Sequence, residues 1–278
     1  MFSIEKAKKW MVVIGTLVLM FFLIGPNVLT LDGKNLHLKT ERLENIKPKD
    51  FKVFDANNYK NAPDLTKYGL SPIAIIYEQF LTTKGKNGSV VNDKQFRDNA
   101  SYVDKKWNRS NSKIPVCLDI ESWNEDKKSD DYIHSVNLFK KYYNSNNVGL
   151  WNISSVKLIK NASVLFPQFY NRSPEDLKTW TPNFLKTIQK IKQLNSRAPI
   201  YAFLSPQYTS NGHKQFLSYA VWMQELKMVY KYCDGVVIWG MPYYDDHIAH
   251  RKVFFSWNSN REWWKATLDF MRINNIHN

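Results

Sequence analysis

The chain has 278 residues, 44% of them hydrophobic and 15% aromatic, which supplies matter for a sizeable core and excludes a globally disordered chain. A formal charge of +14 suits a polyanion, such as an anionic glycosaminoglycan, an anionic membrane surface or nucleic acid, although no block of about five or six like charges concentrates it. Only two cysteines occur, Cys117 and Cys233, which excludes a disulfide framework and permits one bridge at most.

Lys6, Lys8 and Lys9 precede an apolar run from Trp10 to Ile24. A basic flank before such a run marks residues 1–31 as a signal peptide or a type II signal anchor. The uninterrupted run is short of the roughly 20 apolar residues a span needs, and reaches that length if extended through Leu31. Either form sends the rest of the chain into the secretory pathway, as an extracellular or membrane-anchored domain on the non-cytosolic side. The uncleaved form adds the membrane as a partner. Export, with no zinc-finger spacing or P-loop, disfavours nucleic acid. Residues 32–48 are polar and read as a linker, leaving residues 49–278 as the domain.

Short β-rich runs then recur: Phe51–Asp55, Ile73–Tyr77, Ile114–Glu121, Val148–Trp151, Ala162–Phe166, Pro199–Leu204 and Gly235–Gly240. Between them lie helical patterns. Thr181 as cap and Pro182 in the first helical position precede a stripe of Phe184, Leu185, Ile188, Ile191 and Leu194. Ser218 caps a helix with Trp222, Met223, Leu226, Val229 and Tyr230 on one face, and Arg261–Met271 repeats the spacing. Strands alternating with helices predict an α/β fold with a parallel sheet. Seven or eight strands, with no G-x-G-x-x-G fingerprint, fit a (β/α) TIM-like barrel better than a doubly wound sheet.

Asp119 and Glu121 stand two apart at the C-terminal end of the third run, where side chains at i and i+2 share a face. In a barrel this is the end that carries catalytic groups. Two close carboxyls drive each other's pKa values apart, so that one keeps a proton while the other is ionised. Glycoside cleavage requires that pairing, although a structural carboxylate pair has the same pattern. Tyr77 and Glu78 end the second run, and Gln207 and Tyr208 follow a later one, so these too are candidates for the cleft. Asp245, Asp246, His247 and His250 read as a polar loop with no recognised metal spacing. No metal or cofactor is implied. Six N-x-[ST] sequons occur, at Asn87, Asn99, Asn108, Asn152, Asn161 and Asn171.

Three segments in order resemble the hyaluronidase family of animals and venoms. These are Leu118-Asp119-Ile120-Glu121-Ser122-Trp123, then Phe166-Pro167-Gln168-Phe169-Tyr170-Asn171, then Phe216-Leu217-Ser218 leading into Asp234–Gly240. The resemblance spans about residues 50–275 and implies a retaining, substrate-assisted hydrolase of β-linked N-acetylhexosamine polysaccharide such as hyaluronan or chondroitin. Glu121 would be the acid and then the base. Asp119 would orient the substrate's own acetamido nucleophile, Tyr170 would hydrogen-bond it, and Trp239 would line the sugar subsite. Tyr77, Trp123, Tyr201, Gln207 and Tyr208 complete the candidate substrate-binding set.

The family pattern is not matched throughout. Asn124-Glu125 replace its Arg-Pro, Phe169 stands where it has a cysteine, and the stretch from Tyr170 to Pro199 is short by about one strand-helix unit. The alternative reading is a catalytically inactive barrel that binds carbohydrate at a surface.

Overall fold

Apolar runs rich in Val, Ile, Phe and Tyr favour extended chain. The computed structural model describes residues 50–278 apart from 86–87, 108–113, 211–213, 247–249 and 277–278, and it forms all seven runs into parallel staves. The expected signal or anchor segment and the linker lie outside the described residues. Among those described, no helix is long and apolar enough to cross a membrane.

The strands are β1 (Lys52–Asn57), β2 (Ser71–Pro72), β3 (Ala74–Tyr77), β4 (Thr82–Gly85), β5 (Gly88–Val91), β6 (Val116–Asp119), β7 (Val148–Trp151), β8 (Leu165–Phe166), β9 (Tyr201–Leu204), β10 (Gly235–Gly240), β11 (Tyr243–Asp246) and β12 (Arg251–Phe254). The helices are α1 (Asp93–Trp107), α2 (Ser129–Tyr143), α3 (Val156–Asn161), α4 (Leu177–Leu194), α5 (Tyr219–Tyr232) and α6 (Glu262–Ile273).

One parallel sheet runs β2-β1-β10-β9 and another β3-β6-β7-β8. β2 and β3 form a single stave interrupted at Ile73, and the bridges Leu165↔Ile200 and Gln168↔Phe203 join β8 to β9. The ring therefore closes with seven staves, the lower of the two numbers expected. Between Tyr170 and Pro199 the chain makes α4 and no strand. The first connection is also reduced: β1 reaches β2 through a single 3-10 turn, Leu65–Tyr68, ended by Gly69 at φ 87. Two antiparallel hairpins, β4–β5 and β11–β12, lie outside the seven runs.

Alternation divides the core into an inner and an outer part. Phe54, Ile73, Cys117, Val164, Phe166, Phe203 and Val237 fill the barrel interior. Their strand neighbours turn outward against the helices, Leu118 toward the α1–α2 side and Val236 and Ile238 toward α4, α5 and α6. Both cysteines are buried and free, Cys117 inside the barrel and Cys233 in the outer core.

Helix α4 begins earlier than its sequence suggests. A capping box at Ser173 and Asp176 starts a 3-10 turn at Pro174, which feeds α4 from Leu177, so Pro182 is inside the helix and Thr181 is not its cap. Pro182 lies on the exposed side as the sixth residue of the helix, past the first turn, where it removes one backbone hydrogen bond. Ser218 caps α5 as expected, its hydroxyl accepting from Val221 N–H at 3.5 Å.

Candidate active site

The inward alternation continues past the C-terminal ends of the staves, and there the lining changes from apolar to polar. Above Cys117 and Phe203 opens a cleft of about 260 Å3, lined by Tyr77, Asp119, Glu121, Trp151, Gln168, Tyr170, Thr209 and Trp239, with Ile75 and Phe203 beneath. Asp119, Glu121, Tyr77, Tyr170 and Trp239, named from the sequence, are thus brought together.

Asp119 ends β6 directly beside Tyr77 of β3 and is 8% exposed. Its carboxyl is pushed up to about 7, first by burial, then by the charges of Glu121 and Glu78 and by its hydrogen bond with Glu121. Asp119 therefore holds its proton up to near neutral pH and lies within hydrogen-bonding reach of Glu121. Glu121 is the exposed member and faces the open cleft.

Aromatic rings make the walls. Tyr170 stacks on Trp239, with ring centroids 5.3 Å apart and planes 14° apart. The Trp239 indole N–H donates to the Tyr77 hydroxyl, and that of Trp151 donates to the Tyr170 hydroxyl. Burial, followed by the charges of Cys117, Tyr77 and Asp119, pushes the Tyr170 phenol well up, so it stays a neutral hydrogen-bonding group. Gln168 is oriented by Asn152, which sits at φ 46 and exchanges two hydrogen bonds with it at 3.2 Å each.

The other predicted residues lie elsewhere. Trp123 is buried in the outer core, edge-on to Tyr132, and its indole N–H donates to Ser89 C=O at 3.1 Å. Tyr201 opens β9 and packs on Phe54 at the N-terminal end of the barrel, away from the cleft. Tyr208 is buried in the outer core. Gln207 is fully buried: its Oε1 accepts from the Tyr59 hydroxyl and from Met241 N–H, both at 2.9 Å. It braces the end of β10 just beyond Trp239, where a Cβ on Gly240 would lie 2.5 Å from the Tyr59 ring.

Trp151, Gln168 and Thr209 line the cleft without having been named as site residues. Trp151 closes the run Val148–Trp151 and Gln168 stands two before Tyr170, so strand-end position and parity were available signals for both. Thr209 offered neither. Asp245 and Asp246 belong to β11, His250 precedes β12 at φ 48, and His247 lies outside the described residues.

The sequence matches no protein-family model and no curated protein. Among solved structures the chain is similar to bee venom hyaluronidase, with a TM-score of 0.51 at 12% identity over 81% of this chain and 98% of that one. The same enzyme in complex with a hyaluronic acid tetramer gives 0.49 at 15% identity, over 81% and 97%. A mutant form of Thermotoga maritima Cel5A in complex with cellobiose gives 0.43 at 9%, over 72% of each chain. At such identities the likeness is one of fold, and the fold is the TIM-type barrel found in glycoside hydrolases.

Proposed function

We propose that the chain is a glycoside hydrolase that cleaves β-linked N-acetylhexosamine polysaccharide of the hyaluronan or chondroitin kind, with retention of configuration. The observation that carries this reading is the Asp119–Glu121 carboxyl pair, hydrogen-bonded together at a cleft walled by Tyr77, Trp151, Tyr170 and Trp239. Aromatic faces suit sugar rings, and a protonated carboxyl beside an ionised one suits the protonation of a leaving oxygen.

In this reading Glu121 gives its proton to the glycosidic oxygen as the bond to the anomeric carbon breaks. The substrate's acetamido oxygen attacks that carbon and forms a cyclic oxazolinium. Asp119, ionised once its proton has passed to Glu121 through their hydrogen bond, opposes the positive charge from a buried position, where its field is strong. The Tyr170 hydroxyl orients the acetamido group. Water then opens the ring, with Glu121 taking its proton. Export by the N-terminal segment would place the reaction outside the cytosol, and the chain's positive charge would favour a polyanionic polymer.

The test is release of reducing ends from hyaluronan, chondroitin and chitin oligomers by the full chain and by Glu121→Gln. Turnover present in the wild type and lost in the variant supports the reading. Equal turnover in both overturns the mechanism, whereas an inert wild type that binds these polymers tightly supports the inactive, carbohydrate-binding barrel.

A further inference from the structure

The regular hydrogen bonding of β6 stops at Asp119, so strand geometry alone does not turn Glu121 back toward Asp119. A separate carboxylate fixes the backbone at that point. Glu78 follows β3, and its Oε2 accepts from Glu121 N–H at 3.2 Å and from Ser122 N–H at 2.9 Å. Its other oxygen accepts from the Ser122 hydroxyl. Ser89 of the β4–β5 hairpin adds a further hydrogen bond to the same carboxylate.

The opposite side of the turn is held from α2. The Tyr132 hydroxyl, donating to the carbonyls, lies 2.8 Å from Ile120 O and 3.0 Å from Trp123 O. Glu78 is itself fixed, since its carbonyl accepts from Leu81 N–H at 2.9 Å and from the Thr82 hydroxyl at 3.1 Å.

We infer that Glu78 is a positioning residue, one that holds Glu121 over Asp119 through the two turn amides and fixes a negative charge beside Asp119. This deepens the glycosidase reading, which supplies the purpose of the pair. Burial pushes the Glu78 carboxyl up, but its bonds from Ser122, Ser89 and Glu121 outweigh burial and hold it below the usual range. It therefore remains a fixed negative charge beside the pair. The other titratable groups beside Asp119 are Tyr77 on β3, Cys117 on β6 and Tyr170 after β8, with Tyr132 of α2 on the far side of the turn. Lys128, over the Trp123 ring at 5.8 Å, is engaged by Asp131 at 2.8 Å.

Two variants separate charge from reach. In Glu78→Gln the amide oxygen still accepts from the turn and the NH2 can donate to the Ser122 hydroxyl, so the shape survives while the charge goes. In Glu78→Asp the charge stays and the reach shortens. The experiment follows the carboxyl 13C titration of Asp119 and the hydrogen exchange of the Glu121 and Ser122 amides, in the full chain without substrate.

Glu78→Gln should lower the Asp119 midpoint by about half to one pH unit. Glu78→Asp should leave that midpoint in place and speed exchange at the two amides by about tenfold or more. An unmoved midpoint in the Gln variant, or unmoved exchange in the Asp variant, overturns the inference. Neither readout needs turnover, so an inert wild type that shows both shifts would sink the glycosidase reading alone. In an active enzyme Glu78→Gln should also move the alkaline limb of the kcat profile to lower pH with KM unchanged, which a purely structural role would not do.

Discussion

The Tyr170 ring lies on the Trp239 indole, 5.3 Å away and 14° from parallel, while the Trp239 N–H is held by the Tyr77 hydroxyl. Two walls of the cleft are thus braced against each other before any ligand arrives. Trp239 lies inside the barrel from β10, and Tyr170 follows β8, so the stack spans the mouth across β9. Such a wall costs little ordering entropy when a ligand is bound.

Removing one part of this wall at a time should separate binding from chemistry. Tyr170→Phe keeps the ring stack and removes the hydroxyl, so kcat should fall by about 10- to 100-fold with KM within about twofold. Trp239→Phe shrinks the platform and frees Tyr77, so KM should rise by about tenfold. Steady-state kinetics on a defined oligosaccharide would check both. A Tyr170→Phe variant with unchanged kcat removes that hydroxyl from the mechanism.

Asp119 should trade stability for function. Its carboxyl is raised to about 7 by burial and by its acidic neighbours, above its value in the unfolded chain. The stability linked to it is therefore complete below about pH 4 and lost as pH rises through about 7. Asp119→Asn has no such loss. The variant should melt with the wild type near pH 4 and above it at pH 8, by about 2 kcal/mol, or about 5 °C. It should also have lost most turnover. Thermal melts at both pH values check this, and a variant less stable than wild type at pH 8 would contradict it.

The staves were legible because short apolar runs such as Val148–Trp151 and Gly235–Gly240, set between helical patterns, favour extended chain, and alternation put Asp119 and Glu121 on one face. Parity gives the face but not the end of the barrel. Tyr201 and Phe203 both point inward, yet only Phe203 lies beneath the cleft. Beyond a strand's last hydrogen bond parity gives nothing, and Trp123 and Gln207 depended on turns that local sequence does not encode. Both became braces: Gln207 for β10, Trp123 for the β4–β5 hairpin. Glu78 stands at a strand end in the sequence, but its grip on residues 43 and 44 positions away is a tertiary fact.

That placement makes Trp123 testable as a structural residue. Trp123→Phe keeps much of the contact with Tyr132 and removes the N–H that reaches Ser89. Loss of that hydrogen bond should cost about 1 kcal/mol, with faster hydrogen exchange in the β4–β5 hairpin and an unchanged KM. A KM raised about fivefold with stability unaltered would instead make Trp123 part of the sugar subsite.

A second buried acid lies outside the cleft. Glu225 of α5 is 2% exposed among the apolar residues of its helix, and Asn171 donates to its Oε1. The Glu225 Oε2 and the Asn171 Oδ1 are buried without a partner. Burial pushes the Glu225 carboxyl well up against the smaller opposing effect of Asn171, so it is held protonated. Its linked stability is present at low pH and is lost as pH rises through the raised folded value. Glu225→Gln keeps the acceptor for Asn171 and cannot ionise. It should match the wild type near pH 4 and exceed its Tm at pH 9 by about 3 °C. The cleft and the fold should be untouched, so turnover at neutral pH should be that of the wild type. A variant that unfolds earlier at pH 9 would mean that the ionised carboxylate is stabilised by a contact other than Asn171.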